Sequence, residues 1–246
     1  MHRFFLKPEQ IGNKQVFFQP EEVNQIRNVL RLSSGDCIYV LDNNGNLYTV
    51  ELSKSKNQDL IGNIIKMQSC KTDSGFSISL GQTLTKGPKI EFIIQKATEL
   101  GVREISFFET ERSILKYKNI MEKNRLNRWQ KIAKEAAEQS CRIKVPNIFC
   151  CHNLTEFCES QRQAGLKLIF WEKEMKKKLR DYFKNDIDIS HLALIIGPEG
   201  GFSKKEIDTA SRFGFRSVGL GTRILKTETA VISILSILQY LRGELG

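Results

Sequence analysis

Two stretches near the end of the chain combine glycines with charged side chains in a way that suits ligand binding. The first, Gly-Pro-Glu-Gly-Gly-Phe-Ser (residues 197–203), follows a short apolar run that predicts a buried strand. The second, residues 220–230, contains Gly221, Arg223 and Glu228. Open α/β sheets bind ligands in loops at the carboxyl ends of parallel strands, where glycines let the backbone approach a ligand closely. For either stretch alone, a tight turn without function is the alternative.

A helix is predicted directly after each of these loops. Ser203 and Glu206 have the spacing of a capping box, in which the hydroxyl and the carboxylate each accept a hydrogen bond from the other residue's amide. Thr227 or Thr229 can cap the last helix. Two successive strand, loop and helix units make a turn without function less favoured, and they predict a ligand site where the loops meet.

The pattern upstream predicts the rest of an α/β domain over residues 74–246. Strands are predicted at residues 76–84, 104–108, 166–171, 191–196 and 217–220. Amphipathic spacing predicts a helix over residues 125–139, with Trp129 in the core. The lysine-rich residues 172–184 are predicted to form a charged helix. This alternation of strands and helices is typical of a parallel sheet that is covered on both faces.

Residues 1–73 predict a separate, small β-rich domain. Strands are predicted at residues 15–18, 37–41, 47–52 and 60–67. Asn44-Gly45 marks a hairpin, and Pro20 marks the start of a helix. We expect a barrel-like module, joined to the second domain by the polar linker at residues 71–75.

Composition favours a polyanionic partner. The 246 residues carry a formal net charge of +10, with an isoelectric point of about 9.3. No apolar run has membrane-spanning length, and the N-terminus lacks a signal-peptide pattern. The six cysteines form no C-x-x-C pair, so we expect reduced thiols, a cytoplasmic protein and no metal site. Glycine-rich dinucleotide motifs, P-loops and hydrolase nucleophile elbows are also missing from the sequence.

The two loop sequences also resemble the signatures of the RsmE-type ribosomal RNA methyltransferases of the SPOUT superfamily. The second loop matches as Leu-Gly-x-Arg-Ile-Leu-x-Thr-Glu-Thr-Ala, although Thr222 and Lys226 depart from the residues common in the family. The resemblance covers the whole chain. It implies a parallel-sheet domain tied in a deep trefoil knot, preceded by a β-barrel domain similar to the PUA domain. It also implies a homodimer, for which the stripe Val231, Ile234, Leu235 and Leu238 offers an interface, although that stripe can equally be core.

The resemblance implies S-adenosylmethionine as the cofactor, bound by three loops. The first of these loops follows the strand at residues 166–171. The expected cofactor-binding residues are Phe170, Ile196, Gly197, Pro198, Glu199, Gly200, Gly201, Leu220, Gly221, Arg223, Ile224, Leu225, Thr229 and Ala230.

The implied reaction is methylation of N3 of a uridine in 16S small-subunit ribosomal RNA, free or in the assembled subunit. Arg223 is expected to stabilise negative charge on the uracil, with Glu228 or Glu199 as a base or as a partner that holds Arg223. For Glu228, favourable electrostatics at a helix N-terminus is the alternative role. The candidate RNA contacts are Arg3, Arg27, Arg31, Arg112 and Arg142.

Two other functions stay open at this point. A knotted methyltransferase can act on a ribose 2′-hydroxyl or on guanine N1, and a non-catalytic RNA-binding protein can assist ribosome assembly. Binding of S-adenosylmethionine separates the enzymes from the assembly protein.

Overall fold

The computed structural model describes residues 1–55, 58–70, 76–113, 115–119, 123–183 and 189–245. The chain divides into two compact units. The first comprises Met1–Asp73 with Ala137–Val145, and the second comprises Ser74–Ala136 with Pro146–Gly246. Residues 137–145 belong to the first unit although they lie far from it in the sequence, which no sequence pattern predicted. The predicted linker, residues 71–75, lies outside the described residues.

In the described part of the first unit, a curled mixed sheet surrounds an apolar core. Its strands are β1 (Arg3–Phe5), β2 (Gln15–Phe17), β3 (Cys37–Leu41), β4 (Asn46–Lys54) and β5 (Leu60–Ser69). Their order is β1-β3-β4-β5-β2, with β1 parallel to β3 and the other neighbours antiparallel. Helix α1 (Pro20–Asn24) continues into a π-helical turn (Gln25–Val29) whose Ile26 is fully buried. The predicted barrel-like module is therefore confirmed.

The described part of the second unit is built on a parallel sheet. Its strands are β6 (Ser77–Thr83), β7 (Glu104–Glu109), β8 (Asn147–Asn153), β9 (Leu166–Phe170), β10 (His191–Ile196) and β11 (Arg216–Val218). Their order is β11-β9-β10-β6-β7-β8, and every neighbouring pair is parallel. The helices are α2 (Gly87–Glu99), α3 (Lys123–Gln139, whose last three residues belong to the first unit), α4 (Leu154–Ser160), α5 (Lys204–Arg212) and α6 (Thr227–Leu241). The predicted α/β class is confirmed; the trefoil knot stays a prediction.

Strand pairing brings three loops to one edge of this sheet. Phe170 at the end of β9 pairs with Ile196 at the end of β10 and with Val218 at the end of β11. Because the three strands are adjacent and parallel, their carboxyl ends lie side by side. The loops that follow are named here the first loop (residues 171–178), the second loop (residues 197–203) and the third loop (residues 219–226).

The charged helix predicted for residues 172–184 is wrong. Residues 171–178 form a loop, followed by a short 3-10 helix at Leu179–Tyr182, and residues 184–188 lie outside the described part. Strands β1 and β8 and helix α4 were not predicted from the sequence. By contrast, α3 has the predicted amphipathic form, and Trp129 is 2% exposed with its ring centroid 4.9 Å from that of Phe107.

Helix α6 packs its apolar stripe inward. Val231, Ile234, Leu235 and Leu238 are each fully buried within the unit, so they belong to the core and offer no exposed interface. The side-chain amide of Gln239 also donates a hydrogen bond to Leu100 O, just after α2, at 2.7 Å. The exposed apolar residues of α6 are instead Ile237, Tyr240 and Leu241. In the described part of the chain, no helix is both long and apolar enough to cross a membrane.

Candidate active site

The three loops enclose a cavity of about 310 Å³. Every predicted cofactor-binding residue except Thr229 lines it. The cavity also contacts residues that the sequence analysis missed in this role: Trp171, Glu172, Met175, Thr222 and Thr227. Phe170 and Ile196 form a buried apolar floor, whereas Ile224 is 84% exposed at the mouth. The cavity thus has an apolar floor, and charged and hydroxyl side chains such as those of Glu199, Thr222 and Arg223 also line it.

Hydrogen bonds to β11 and the turn after it hold the first loop out of a helix. Glu174 accepts from the Ser217 hydroxyl at 2.6 Å, and it also caps the amides of Lys176 and Lys177. These hydrogen bonds, chiefly the one from Ser217, lower the pKa of Glu174 although burial opposes the shift. The Gly219 amide donates to Lys177 O at 2.9 Å. Tertiary contacts therefore override the helical propensity of this lysine-rich stretch.

Close packing around its glycines shapes the second loop. Gly201 has φ +65° and donates from its amide to Pro198 O at 2.9 Å, closing a turn. A Cβ on Gly197 would lie 2.9 Å from the buried ring of Phe202. Ser203 then caps α5 in the predicted capping box with Glu206. The loop is thereby fixed between a buried phenylalanine and a capped helix.

Thr227 links the third loop to the second. Its hydroxyl donates to Gly197 O at 2.8 Å and accepts from the Gln82 side-chain amide at 3.0 Å. Gly221 has φ +105° and no heavy atom within 4 Å of the position of a Cβ, so this part of the loop faces open space beside the cavity. Thr229 is exposed one turn into α6 and does not line the cavity.

The two candidate carboxylates both point to Lys89, which the sequence analysis did not single out. Lys89 Nζ lies 2.5 Å from Glu199 Oε1 and 3.5 Å from Glu228 Oε2. Among the described residues, no ion pair joins Arg223 to Glu199 or Glu228, so the structure does not bear out the predicted role of these carboxylates as partners that hold Arg223. Arg223 itself is exposed on the wall of the cavity.

Arg112 meets the second loop from outside. Its Nη1 donates to Gly200 O at 2.8 Å. Next to it, the Glu111 amide donates to Glu206 Oε1 at 2.9 Å, and Glu206 is only 8% exposed. The arginine therefore braces the loop, while its side chain stays largely exposed to solvent.

The remaining predicted RNA contacts lie in the first unit and differ in exposure. Arg27 and Arg31 are exposed, and Arg31 has φ +57°. Arg3 is half-buried; it donates to Cys141 O at 2.8 Å and lies over the Tyr39 ring. Arg142 is only 8% exposed, which leaves little of its side chain for RNA to contact.

The buried cysteines and the potential metal ligands do not form a second reactive site in the described part of the chain. Burial raises the pKa of Cys150 and Cys158 to about 12 and that of Cys151 to about 11, so all three stay protonated thiols. The described residues contain no group of three histidine, cysteine, aspartate or glutamate side chains placed to hold a metal ion.

The chain is similar in sequence and in structure to known RNA methyltransferases. A family model described as RNA methyltransferase domain matches residues 72–239. A ribosomal RNA small subunit methyltransferase E of Bacillus subtilis is 32% identical over 99% of this chain and 100% of its own length. Two solved structures have TM-scores of 0.85. One is a ribosomal RNA small subunit methyltransferase E from Neisseria gonorrhoeae bound to S-adenosyl methionine, at 30% identity, with 98% of both chains covered.

The other structure is a methyltransferase from Legionella pneumophila in complex with the same cofactor, at 31% identity, covering 97% of this chain and 96% of its own. These matches extend over almost the whole length of the chain and so span both units. The chain therefore belongs to the ribosomal RNA small subunit methyltransferase E family.

Proposed function

We propose that this protein transfers the methyl group of S-adenosylmethionine to N3 of a uridine in small-subunit ribosomal RNA. The observation that carries the proposal is the cavity of about 310 Å³ enclosed by the three loops. The names of the relatives supply the substrate class, and the two cofactor complexes among the structural neighbours supply the methyl donor.

The residues around the cavity fit this cofactor. Phe170, Ile196 and Leu225 offer apolar surfaces for the adenine ring, and the loops' backbone groups can satisfy its polar edges. Trp171 also lines the cavity and adds an aromatic surface to it. Gly221 leaves open space where a side chain would intrude. When bound, the cofactor supplies an electrophilic sulfonium methyl group.

The protein's own groups would handle the uracil. Methylation at N3 requires loss of the N3 proton, and negative charge develops on the ring and its carbonyl oxygens. Arg223, exposed on the cavity wall, is suited to stabilise that charge. Glu228 does not line the cavity, and its buried Oε2 lies 3.5 Å from the ammonium of Lys89, so Arg223 is the better candidate for the group that meets the uracil. N3 lies on the pairing edge, so the target base must be unpaired.

Partners follow from the exposed surfaces. We assign Arg27 and Arg31 as RNA contacts of the first unit, because both are exposed cations in a chain of net charge +10. A homodimer would use the apolar side chains of α2 and α6 that remain exposed, namely Phe92, Ile237, Tyr240 and Leu241. We place the activity in the cytoplasm, where this RNA is found.

Isothermal titration with S-adenosylmethionine tests the proposal, with Arg223→Ala as the diagnostic variant. The wild-type protein should bind the cofactor, and Arg223→Ala should lose about 100-fold or more in turnover with a much smaller change in cofactor affinity. No binding by the wild type would leave the non-catalytic assembly protein as the better account. Equal losses in turnover and affinity would make Arg223 part of the cofactor pocket and not of the chemistry.

A further inference from the structure

The first turn of α2 places one lysine between two loops of the cofactor site. Lys89 contacts Glu199 of the second loop at 2.5 Å, and it lies 3.5 Å from Glu228, in the first turn of α6 just after the third loop. Glu199 lines the cavity, whereas Lys89 does not. A single ammonium group thus connects elements that are far apart in the sequence and adjacent at the site.

Electrostatics make this arrangement dependent on all three charges. A cation in the first turn of a helix is disfavoured by the helix dipole, so α2 alone does not stabilise Lys89. The hydrogen bond with Glu199 is the main cause that raises the pKa of Lys89, and the charges of Glu199 and Glu228 add to it against burial. Without the ammonium, two carboxylates would face each other at the edge of the cavity, which favours separation of the loops.

Further contacts fix Glu199 in place. Burial by itself would raise the pKa of Glu199, but hydrogen bonds from Lys89 and Thr85 and the charge of Lys89 outweigh it and hold that pKa below its ordinary value. The Thr85 hydroxyl, which is fully buried, donates to Glu199 at 3.0 Å. Glu228, by contrast, has its buried oxygen within reach of Lys89 without a hydrogen bond. Lys89 therefore holds one carboxylate tightly and the other loosely.

We propose that Lys89 is a positioning residue that sets the distance between the second and third loops and so shapes the cofactor site through Glu199 and Glu228. This inference rests on the proposed function for its biochemical consequence. The geometry is independent of the proposed function, because the ion pairs of Lys89 with Glu199 and Glu228, named here the Lys89 clamp, are present without a ligand.

The test compares Lys89→Met with a matched control on the same helix. Lys96 also forms an ion pair, with Glu99 at 2.8 Å, and its side chain is 33% exposed against 30% for Lys89, but it lies away from the loops. Titration with S-adenosylmethionine should give a dissociation constant about tenfold higher for Lys89→Met, a small change for Lys89→Arg and none for Lys96→Met. Equal affinities for Lys89→Met and the wild type would overturn the proposal.

Measuring cofactor affinity at several pH values shows whether Lys89 acts through its charge or through the space that its side chain fills. The charged groups that face Lys89 are Glu199 and Glu228; in Lys89→Met they face each other, and repulsion raises the pKa of one of them. The ratio of the variant's dissociation constant to the wild-type value should therefore fall when the pH is lowered from 8 to 5.5. Adding Glu228→Gln to Lys89→Met should restore part of the affinity at pH 8. A ratio independent of pH would contradict a clamp that acts through charge.

Hydrogen exchange without the cofactor makes the proposal independent of the assigned function. Amides of the second and third loops should exchange faster in Lys89→Met than in Lys96→Met, because the loops open more often. Identical exchange would refute the clamp even if the cofactor binds. Failure of the wild type to bind S-adenosylmethionine would instead refute the proposed function and leave the exchange comparison to decide on Lys89. Should Lys89→Met not fold, Lys89→Gln carries the same comparisons.

Discussion

Substitution of Gly197 by alanine tests whether the second loop must keep its present position for the cofactor to bind. The added Cβ would lie 2.9, 3.2 and 3.3 Å from three ring atoms of Phe202, and the ring is only 1% exposed. Phe202 packs in a core cluster with Phe108, Ile195 and Phe215, so it has little room to move. The backbone of the loop must therefore shift by roughly half an ångström, since ordinary carbon contacts are about 3.5–4.0 Å.

The expected magnitude follows from overpacking. Inserting a methyl group into a well-packed site costs about 1–3 kcal/mol. If about half of that cost appears in binding, because the cofactor requires the original loop position, the dissociation constant for S-adenosylmethionine rises about tenfold, equivalent to ~1.4 kcal/mol. Isothermal titration measures this rise, and thermal unfolding reports the part of the cost that falls on stability.

Two further variants decide the cause. Gly87→Ala adds the same atom at the start of α2, where nothing lies within 4 Å, and should keep wild-type affinity. Phe202→Leu should reduce the penalty of Gly197→Ala, because a smaller side chain makes room for the Cβ, and a double-mutant cycle measures that coupling. The reasoning is refuted if Gly197→Ala binds as well as the wild type, or if the two substitutions prove additive.

Three more predictions follow from other parts of the molecule. Burial and then the charge of Arg103 lower the pKa of His191, although the charge of Glu104 opposes the shift. The contribution of His191 to the free energy of unfolding is therefore complete above the unfolded pKa of about 6.5 and is lost as the pH falls below it. Urea unfolding at pH 7.5 and 5.5 should show this loss in the wild type and a smaller one in His191→Gln. The buried thiol Cys158 should react with iodoacetamide at pH 8 far more slowly than the exposed Cys37, as peptide mapping can show, and equal rates would contradict its raised pKa. Arg31→Ala should weaken RNA binding and reduce its salt dependence, in filter-binding assays, without changing cofactor affinity; an unchanged salt slope would remove Arg31 from the interface.

The second and third loops were predictable because each is a contiguous motif with its own local signals. Gly197 and Gly221 mark backbone that approaches a neighbour or open space, and Ser203 with Glu206 marks a helix start. Such signals depend on residues a few positions apart, which a sequence displays directly. The cofactor and the reaction came from resemblance to a family and not from these patterns.

The first loop was not predictable in the same way. Its charged residues suit a solvated helix, but Glu174 instead binds Ser217, 43 residues later in the chain. Lys89 was missed for the same reason, since it lies 110 residues before Glu199, and no local pattern links them. Strand β8 lies at the edge of its sheet and alternates weakly between exposed and buried residues, so it lacked the apolar run of a central strand.

The apolar stripe of α6 shows a limit of another kind. Periodicity identified Val231, Ile234, Leu235 and Leu238 as one face, and that face is real. It could not say whether the face meets the protein's own sheet or a second subunit, because both surroundings are apolar. Only the packing of α6 within its unit assigns the stripe to the core.

The most direct test of the assigned activity is a methyl-transfer assay on small-subunit RNA. Small subunits from cells that lack this gene are incubated with the purified protein and isotopically labelled S-adenosylmethionine, and the RNA is digested to nucleosides for mass spectrometry. The proposed function predicts that the label appears in 3-methyluridine and that Arg223→Ala abolishes most of it. Label in a 2′-O-methylated nucleoside or in 1-methylguanosine, or no label in any nucleoside, would contradict it.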